Sequence, residues 1–144
     1  MEEKRIYCIV AGTIQVPLDG KGNSIFRSGP SAILSGRKWR TVLQPQGRQI
    51  AQACHVVSLL RLQHYALKEP RIGMEAVTTI ILQGRDSAEL GHVYRLLHKK
   101  KLKPEIFSDT NPEYGLGEWP TAVAALASYF EVQGILDYLP LWGS

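Results

Sequence analysis

Four apolar runs divide the chain and predict four β-strands, at residues 5–12, 76–83, 105–108 and 121–129. The first run, Arg-Ile-Tyr-Cys-Ile-Val-Ala-Gly, is apolar at almost every position. Such a continuous run is typical of a central strand that is buried on both faces of a sheet. The fourth run is rich in alanine, and small side chains favour close packing against a helix. Because helical segments separate the first three runs, the pattern favours an α/β fold.

The segment between the first two strands contains a predicted helix whose first turns carry polar residues and whose remainder is largely apolar. Pro45 and Gly47 break the chain just before this helix, which is predicted at residues 47–66. Arg48, Gln52 and His55 then follow at spacings of four and three, so they lie on neighbouring parts of one face. The other side carries the predicted buried stripe: Ile50, Ala53, Cys54, Val57 and Leu60. The polar trio is either a solvated first turn or part of a site.

The second helix has a clear start and a clear buried face. Asp86 predicts the N-cap, and Glu89, three residues later, predicts a capping box. The residues predicted to be buried are Leu90, Val93, Leu96 and Leu97. The helix ends in His-Lys-Lys-Lys at residues 98–101, where positive charge suits the helix dipole. That lysine run could touch phosphate, but the dipole and solvation explain it without a ligand.

The order strand, helix, strand, helix, strand, strand, helix predicts a three-layer α/β/α sandwich with a mixed four-stranded sheet. The last, short helix is predicted at residues 132–139, after which Leu141 and Trp142 fold back on the core. The length of 144 residues and a hydrophobic content of 44% suit a single domain at residues 1–144.

Residues 13–43 are predicted to be an insertion in this domain. The segment is rich in glycine, proline and charge, and it contains short apolar pieces that suggest a hairpin. We expect it to project from the core and to be mobile, as long loops of small domains often are. It also carries a basic strip with one aromatic residue: Lys21, Arg27, Arg37, Lys38, Trp39 and Arg40. Such a strip either tracks a phosphate backbone and stacks a base, or is simply a solvated loop.

The composition of the chain bears on its cellular location and on the charge of a binding partner, but it does not identify that partner. The formal net charge of +4 permits an anionic partner such as RNA and does not require one. Cys8 and Cys54 lie in apolar segments and are predicted to be buried thiols, so we expect a reducing, cytoplasmic setting. We expect no metal, cofactor, signal peptide or membrane segment, because the corresponding sequence patterns are missing.

The polar start of the first helix and the polar, turn-rich stretch at residues 109–120 both follow predicted strands. A parallel arrangement of those strands would place both segments on the same edge of the sheet, where ligand sites of open α/β sheets collect. No nucleophile elbow, phosphate-binding loop or dinucleotide fingerprint is present.

In these segments the sequence resembles the second family of peptidyl-tRNA hydrolases, which is the archaeal and eukaryotic type. The first helix of that family opens with Gly-Lys-x-x-Ala-Gln-x-x-His, and residues 47–55 read Gly-Arg-Gln-Ile-Ala-Gln-Ala-Cys-His. The family also has an aspartate after its third strand and a threonine in its final strand, which Asp109 and Thr121 match. The order of elements agrees too, and the resemblance covers residues 5–12 and 44–139. It implies a hydrolase that cleaves the ester between a peptide and tRNA.

The resemblance also implies roles for the matching residues. Arg48, Asp109 and Thr121 are the expected catalytic residues. Asp109 would orient or deprotonate the water, and Arg48 would stabilise negative charge or hold a phosphate. The expected substrate-binding residues are Gln52, His55 and Glu113. An aspartate in a loop is otherwise most often a turn or helix-cap residue.

Three departures from the family pattern bear on activity. Gln46 stands where the family usually has a second lysine, and Glu113 stands where it usually has a threonine. Trp119-Pro120 replaces the usual Gly-Thr. A second carboxylate near Asp109 would repel a phosphate unless a cation lies between them. Two alternatives therefore stay open: a catalytically lapsed domain that binds tRNA or other RNA, and a protein-interaction module that dimerises through its apolar tail.

Overall fold

The computed structural model describes residues 3–17, 39–66, 77–108 and 120–144. In chain order, the helices and strands of this described part are β1 (Lys4–Ala11), β2 (Thr13–Pro17), β3 (Trp39–Leu43), α1 (Gln46–Ala66), β4 (Thr79–Gly84), α2 (Ser87–Lys99), β5 (Glu105–Ser108), β6 (Pro120–Ser128) and α3 (Tyr129–Val132).

Four of the strands form one mixed sheet in the order β4-β1-β6-β5. β1 runs parallel to β4 and antiparallel to β6, and β5 runs antiparallel to β6. The apolar run at residues 5–12 therefore lies in the interior of the sheet, where a strand is paired on both sides. The α/β fold class and the mixed four-stranded sheet predicted from the sequence are confirmed.

Alternate residues of β1 face two separate hydrophobic clusters, because successive side chains of a strand point to opposite faces. Ile6, Cys8 and Val10 pack in the cluster that contains residues of α1. Tyr7 and Ile9 pack in the cluster that contains residues of α2. One helix therefore covers each face of β1, as a three-layer arrangement requires.

α2 follows its sequence pattern closely. The Asp86 side chain accepts a hydrogen bond from the Glu89 backbone N–H at 2.9 Å, as an N-cap does. The reciprocal half of the predicted capping box differs, because Glu89 Oε1 accepts from the backbone N–H of Arg85 at 2.8 Å rather than from Asp86. Leu90, Val93 and Leu97 are buried as predicted, whereas Leu96, also predicted to be buried, is only partly buried.

α1 has nearly the predicted bounds, and its buried face agrees only in part with the prediction: Ala53 and Leu60 are buried as predicted, and Val57 is partly buried. Gln49, Gln52, Ala53, Val56 and Leu60 are its buried residues. Ile50 and Cys54 are exposed, so their predicted burial was wrong, whereas the Cys8 thiol is buried as predicted. The buried amides of this helix have polar partners: the Thr121 hydroxyl for Gln52, and the Gln44 carbonyl with the Gln83 and Trp142 side chains for Gln49.

β2 and β3 pair antiparallel, from Thr13 opposite Leu43 to Pro17 opposite Trp39. The base of the predicted insertion is therefore a hairpin. Its middle, residues 18–38, lies outside the described residues, and so do the lysines and arginines of the basic strip between positions 21 and 38. The projection and mobility of this segment stay predictions.

The chain after β6 differs from the single helix predicted at residues 132–139. α3 ends at Val132, and Gly134 follows with a φ of 83°, which turns the backbone out of a right-handed helix. The tail then folds back as predicted and lies along β4. The backbone N–H of Gln83 donates to Pro140 O, and that of Trp142 donates to Ile81 O. Of the helices in the described part, none has the length and apolarity needed to cross a membrane.

Candidate active site at the carboxyl edge of the sheet

One edge of the sheet collects the carboxyl ends of three strands. β1 and β4 are parallel, and β5 has the same direction because both β1 and β5 run antiparallel to β6. β6 therefore starts at this edge. α1 also starts here, since the backbone N–H of Gln44 donates to Gly12 O just beyond β1. We call this region the carboxyl edge.

Thr121 is held at the carboxyl edge by an irregularity in the pairing of β5 with β6. Phe107 is paired with Ala122 and Ser108 with Pro120, so the register skips Thr121. Its hydroxyl instead lies 3.2 Å from Phe107 O and 3.2 Å from Gln52 Oε1. Bulges of this kind reorient a side chain, and they are common next to active sites.

Gln52 of α1 contacts the Thr121 hydroxyl at the carboxyl edge. Its side chain is buried, as is the Thr121 hydroxyl, and hydrogen bonding between them offsets the cost of removing both from water. A buried amide in an otherwise apolar helix face is unusual, because it is stable only where a polar partner faces it. The contact joins one helix and one strand that are 69 residues apart in the chain.

His55 lies one turn further along α1 and reaches β5. Its ring stacks on that of Phe107, with the centroids 4.8 Å apart and the planes at 21°. The imidazole is otherwise exposed. Phe107 therefore touches two of the predicted site residues, through its ring and through its backbone carbonyl.

The structure thus brings Gln52, His55 and Thr121 together around the end of β5. Arg48 lies one turn before Gln52 on α1 and is half-buried. Asp109 and Glu113 lie outside the described residues, so their positions stay predictions. In the sequence, Asp109 directly follows Ser108, the last residue of β5.

The chemistry available from the three assembled side chains is hydrogen bonding. A hydroxyl, a carboxamide and an imidazole can orient a substrate or a water, and the imidazole can also transfer a proton. No three His, Cys, Asp or Glu residues of the described segments come together in a way that could hold a metal ion.

A second polar group at the carboxyl edge was missed by the sequence analysis. We call it the amide cluster, and it consists of Gln44, Gln49, Gln83 and Trp142. Gln44 Nε2 donates to Ala11 O at 2.6 Å, and Gln83 Nε2 lies 3.2 Å from Val10 O. Gln49 Oε1 accepts from Trp142 Nε1 at 3.0 Å and from Gln83 Nε2 at 3.2 Å. The available signal was a glutamine at the end of each of two apolar segments, at positions 44 and 83.

A cavity of about 640 Å³ lies between the carboxyl ends of β1 and β4. We call it the β1–β4 cavity, and its lining residues are Gly12, Thr13, Leu43, Gln49, Gln83, Gly84, Arg85, Glu89, Tyr138, Leu139 and Pro140. Partial burial raises the pKa of Tyr138, the Glu89 carboxylate raises it further, and Arg85 opposes the rise. No sequence pattern indicated this cavity, because its lining residues come from distant parts of the chain, near positions 12, 43–49, 83–89 and 138–140.

No protein-family model matches the chain, and no curated protein matches it.

Proposed function

We propose that this chain is a divergent peptidyl-tRNA hydrolase-like protein, which hydrolyses the ester between a peptide and tRNA. The observation that supports the proposal is the meeting of Gln52, His55 and Thr121 at the end of β5. These three residues come from two motifs that are far apart in the sequence. They lie beside Ser108, after which the chain continues directly into Asp109.

The reaction needs an activated water, stabilisation of an oxyanion and a grip on the ribose or phosphate. In our proposal, Asp109 accepts a proton from the water, which then attacks the ester carbonyl carbon. Arg48 stabilises the negative charge of the tetrahedral intermediate or holds a phosphate, but it stays protonated and does not act as a base. The exposed His55 holds the water or the ribose by a hydrogen bond, and the buried contact between Gln52 and Thr121 positions α1 at this edge. The ester bond to the ribose oxygen then breaks, and that oxygen takes up the proton held by Asp109, which restores the carboxylate.

The proposed partner is tRNA, and the proposed location is the cytoplasm. The net charge of +4 supports an anionic partner, because phosphate contacts provide most of the affinity in nucleic-acid binding. The basic strip between residues 21 and 40 would add to that attraction.

The test is a turnover assay of the purified chain on peptidyl-tRNA. Asp109→Asn should lower the rate by about 10²–10⁴-fold, the range typical of a general base. Arg48→Ala should lower both the rate and the affinity for RNA, because one guanidinium serves phosphate and oxyanion alike. Arg61→Ala is the matched control, since Arg61 is an exposed arginine of the same helix, more than three turns away. An unchanged rate in Asp109→Asn would remove Asp109 from the mechanism.

A catalytically lapsed RNA-binding domain is the second candidate. Gln46 is exposed at the position of the family's second lysine, so a cation is missing there. Thr121 is fully buried, and its hydroxyl already bonds protein groups. Salt-dependent tRNA binding without cleavage would support this candidate. The absence of both tRNA binding and cleavage would instead favour a protein-interaction module. Such a module would dimerise through the tail, where Leu141 is exposed.

A further inference from the structure

We propose that the β1–β4 cavity binds a neutral purine nucleoside that carries an exocyclic amine, such as adenosine. The site lies at the carboxyl edge but is formed by residues other than Gln52, His55 and Thr121. The proposal does not depend on ester hydrolysis, so each can be right or wrong without the other.

The position of the cavity is the first support. β1 and β4 are parallel neighbours, and the helices that follow them lie on opposite faces of the sheet. The chain leaving β1 leads to α1, and the chain leaving β4 leads directly to α2. Where the segments after two parallel strands diverge in this way, a crevice opens at their carboxyl ends, and open α/β sheets bind ligands there. The volume of about 640 Å³ is in the range of small-molecule sites.

The walls of the cavity suit a flat, largely apolar ring. Tyr138 and Leu43 are 57% and 73% exposed at its mouth, and Leu139 and Pro140 line it. Exposed aromatic and aliphatic side chains beside a cavity can be covered by a ligand at little cost to the fold. Aromatic side chains stack on bases without regard to sequence, because each base offers a π-face.

Gln83 supplies the polar selectivity. Its amide nitrogen faces three acceptors: Val10 O, Gly84 O and Gln49 Oε1. Among the described residues, none donates a hydrogen bond to its amide oxygen, and that oxygen is not fully buried. The side chain lines the cavity, so the ligand group that complements it is an N–H donor. Glutamine pairs with the exocyclic amine of adenine in the same way in nucleic-acid recognition.

The charges around the cavity favour a nucleoside over a nucleotide. Glu89 Oε2 accepts from Arg85 Nε at 3.0 Å, and Glu89 Oε1 accepts from the Arg85 backbone N–H. The arginine charge is therefore balanced by a buried carboxylate. Asp86 adds a further negative charge at the start of α2, where its side chain already caps a backbone N–H. A phosphate would meet this negative charge, whereas a neutral base would not.

The experiment measures binding of three probes to the full chain by isothermal titration calorimetry: adenosine, purine riboside and N-acetyl-leucinamide. Purine riboside lacks only the exocyclic amine, so its affinity should be about tenfold lower, the equivalent of one hydrogen bond. Tyr138→Ala should weaken adenosine binding by about tenfold or more, through loss of stacking. Backbone amide resonances of Gly12 and Arg85 should shift when adenosine is added.

Tyr129→Ala is the matched control, because Tyr129 is a tyrosine of similar exposure that does not line this cavity. It should bind adenosine as the unmodified chain does, and thermal melting should show that both variants are folded. The proposal is overturned if adenosine does not bind, if Tyr138→Ala binds it normally, or if N-acetyl-leucinamide binds there in preference. Adenosine binding by a chain that never cleaves peptidyl-tRNA would support the cavity proposal and reject the hydrolase.

Discussion

α1 and α2 cover opposite faces of the same sheet in different ways. α2 has 13 residues, begins at an aspartate cap, and buries the apolar residues Leu90, Val93 and Leu97 together with Ser87 and Glu89 of its first turn. α1 has 21 residues, has no acidic residue in its first turn, and buries Gln49 and Gln52 together with its apolar residues. The two helices therefore differ in the interactions that hold them on the sheet. Beyond its first turn, α2 is positioned by apolar burial, whereas the start of α1 is positioned by hydrogen bonds of buried amides at the edge that carries the candidate site.

The largest difference is expected in the reactivity of the two cysteine thiols, Cys8 and Cys54, which lie on the α1 side of the sheet. Burial raises the pKa of the Cys8 thiol from an ordinary value of 9.0 to about 12, and nearby Cys54 adds to the rise. The thiolate fraction of Cys8 near neutral pH should therefore be about a thousandfold below that of an ordinary thiol. Iodoacetamide should modify only Cys54 in the folded chain, as followed by intact mass and peptide mapping.

Unfolding in denaturant should make both cysteines react, and Cys54→Ser should leave the folded chain unmodified. If Cys8 reacted as fast as Cys54 in the folded chain, the assigned orientation of α1 would be wrong.

A core deletion on α2 should have the next largest effect. Leu90 is fully buried, and Leu90→Ala should lower the free energy of unfolding by about 2–5 kcal/mol through lost burial and the cavity left behind. Urea denaturation measures the change. Leu62→Ala on α1 is the control, because Leu62 is 64% exposed and its truncation should change stability by at most about 0.5 kcal/mol. Equal losses in the two variants would contradict the buried face assigned to α2.

The same contrast explains how far the sequence could predict the fold. For α2, local signals and tertiary packing agree: Asp86 caps the helix, and Leu90, Val93 and Leu97 recur at helical spacing. For α1, apolar residues occur on more than one face, so periodicity alone did not choose between them. The buried face was decided by amide partners that come from distant parts of the chain.

The candidate site was predictable to a similar extent. The motif spacing placed Gln52, His55 and Thr121 in one predicted site, and in the structure Gln52 lies against Thr121 while His55 stacks on Phe107. It could not predict that Phe107 would join them, or that the register would skip Thr121, because strand register depends on the whole sheet. The short helix α3 was misplaced because Gly134 adopts a positive φ that the sequence alone does not specify.

The cap of α2 should contribute less than its core. Asp86→Ala removes the acceptor of the Glu89 N–H and should cost about 1 kcal/mol of unfolding free energy. Asp86→Asn keeps a side-chain oxygen and should retain most of that stability. Ser87→Ala is the neighbouring control, since the buried Ser87 Oγ has no hydrogen-bond partner among the described residues. A larger loss in Ser87→Ala than in Asp86→Ala would contradict this assignment of the cap.

The smallest effect is expected at α3, whose Glu131 completes a capping box with Ser128 and also bonds Lys4 Nζ at 2.6 Å. The Lys4 hydrogen bond, helped by the Ser128 backbone N–H, lowers the pKa of Glu131 in the folded chain. Its carboxylate therefore adds stability above its unfolded-state pKa, and that stability is lost as the pH falls through the lower folded-state value.

Glu131→Gln should cost only a few tenths of a kcal/mol at pH 7, because the ion pair is partly exposed. The difference from the unmodified chain should shrink as the pH is lowered below the ordinary carboxyl value of 4.5, which urea denaturation at several pH values can follow. A difference that grew in acid would contradict the assigned sign.

The backfolded tail has a consequence for solubility. β4 and β5 are the outer strands of the four-stranded sheet, and an outer strand offers unpaired backbone groups to any other extended chain. Pro140 and Trp142 take up the outward-facing N–H of Gln83 and C=O of Ile81. A copy of the chain that lost these residues would present β4 as an open template, so removal of the tail should promote aggregation through this strand before it unfolds the domain.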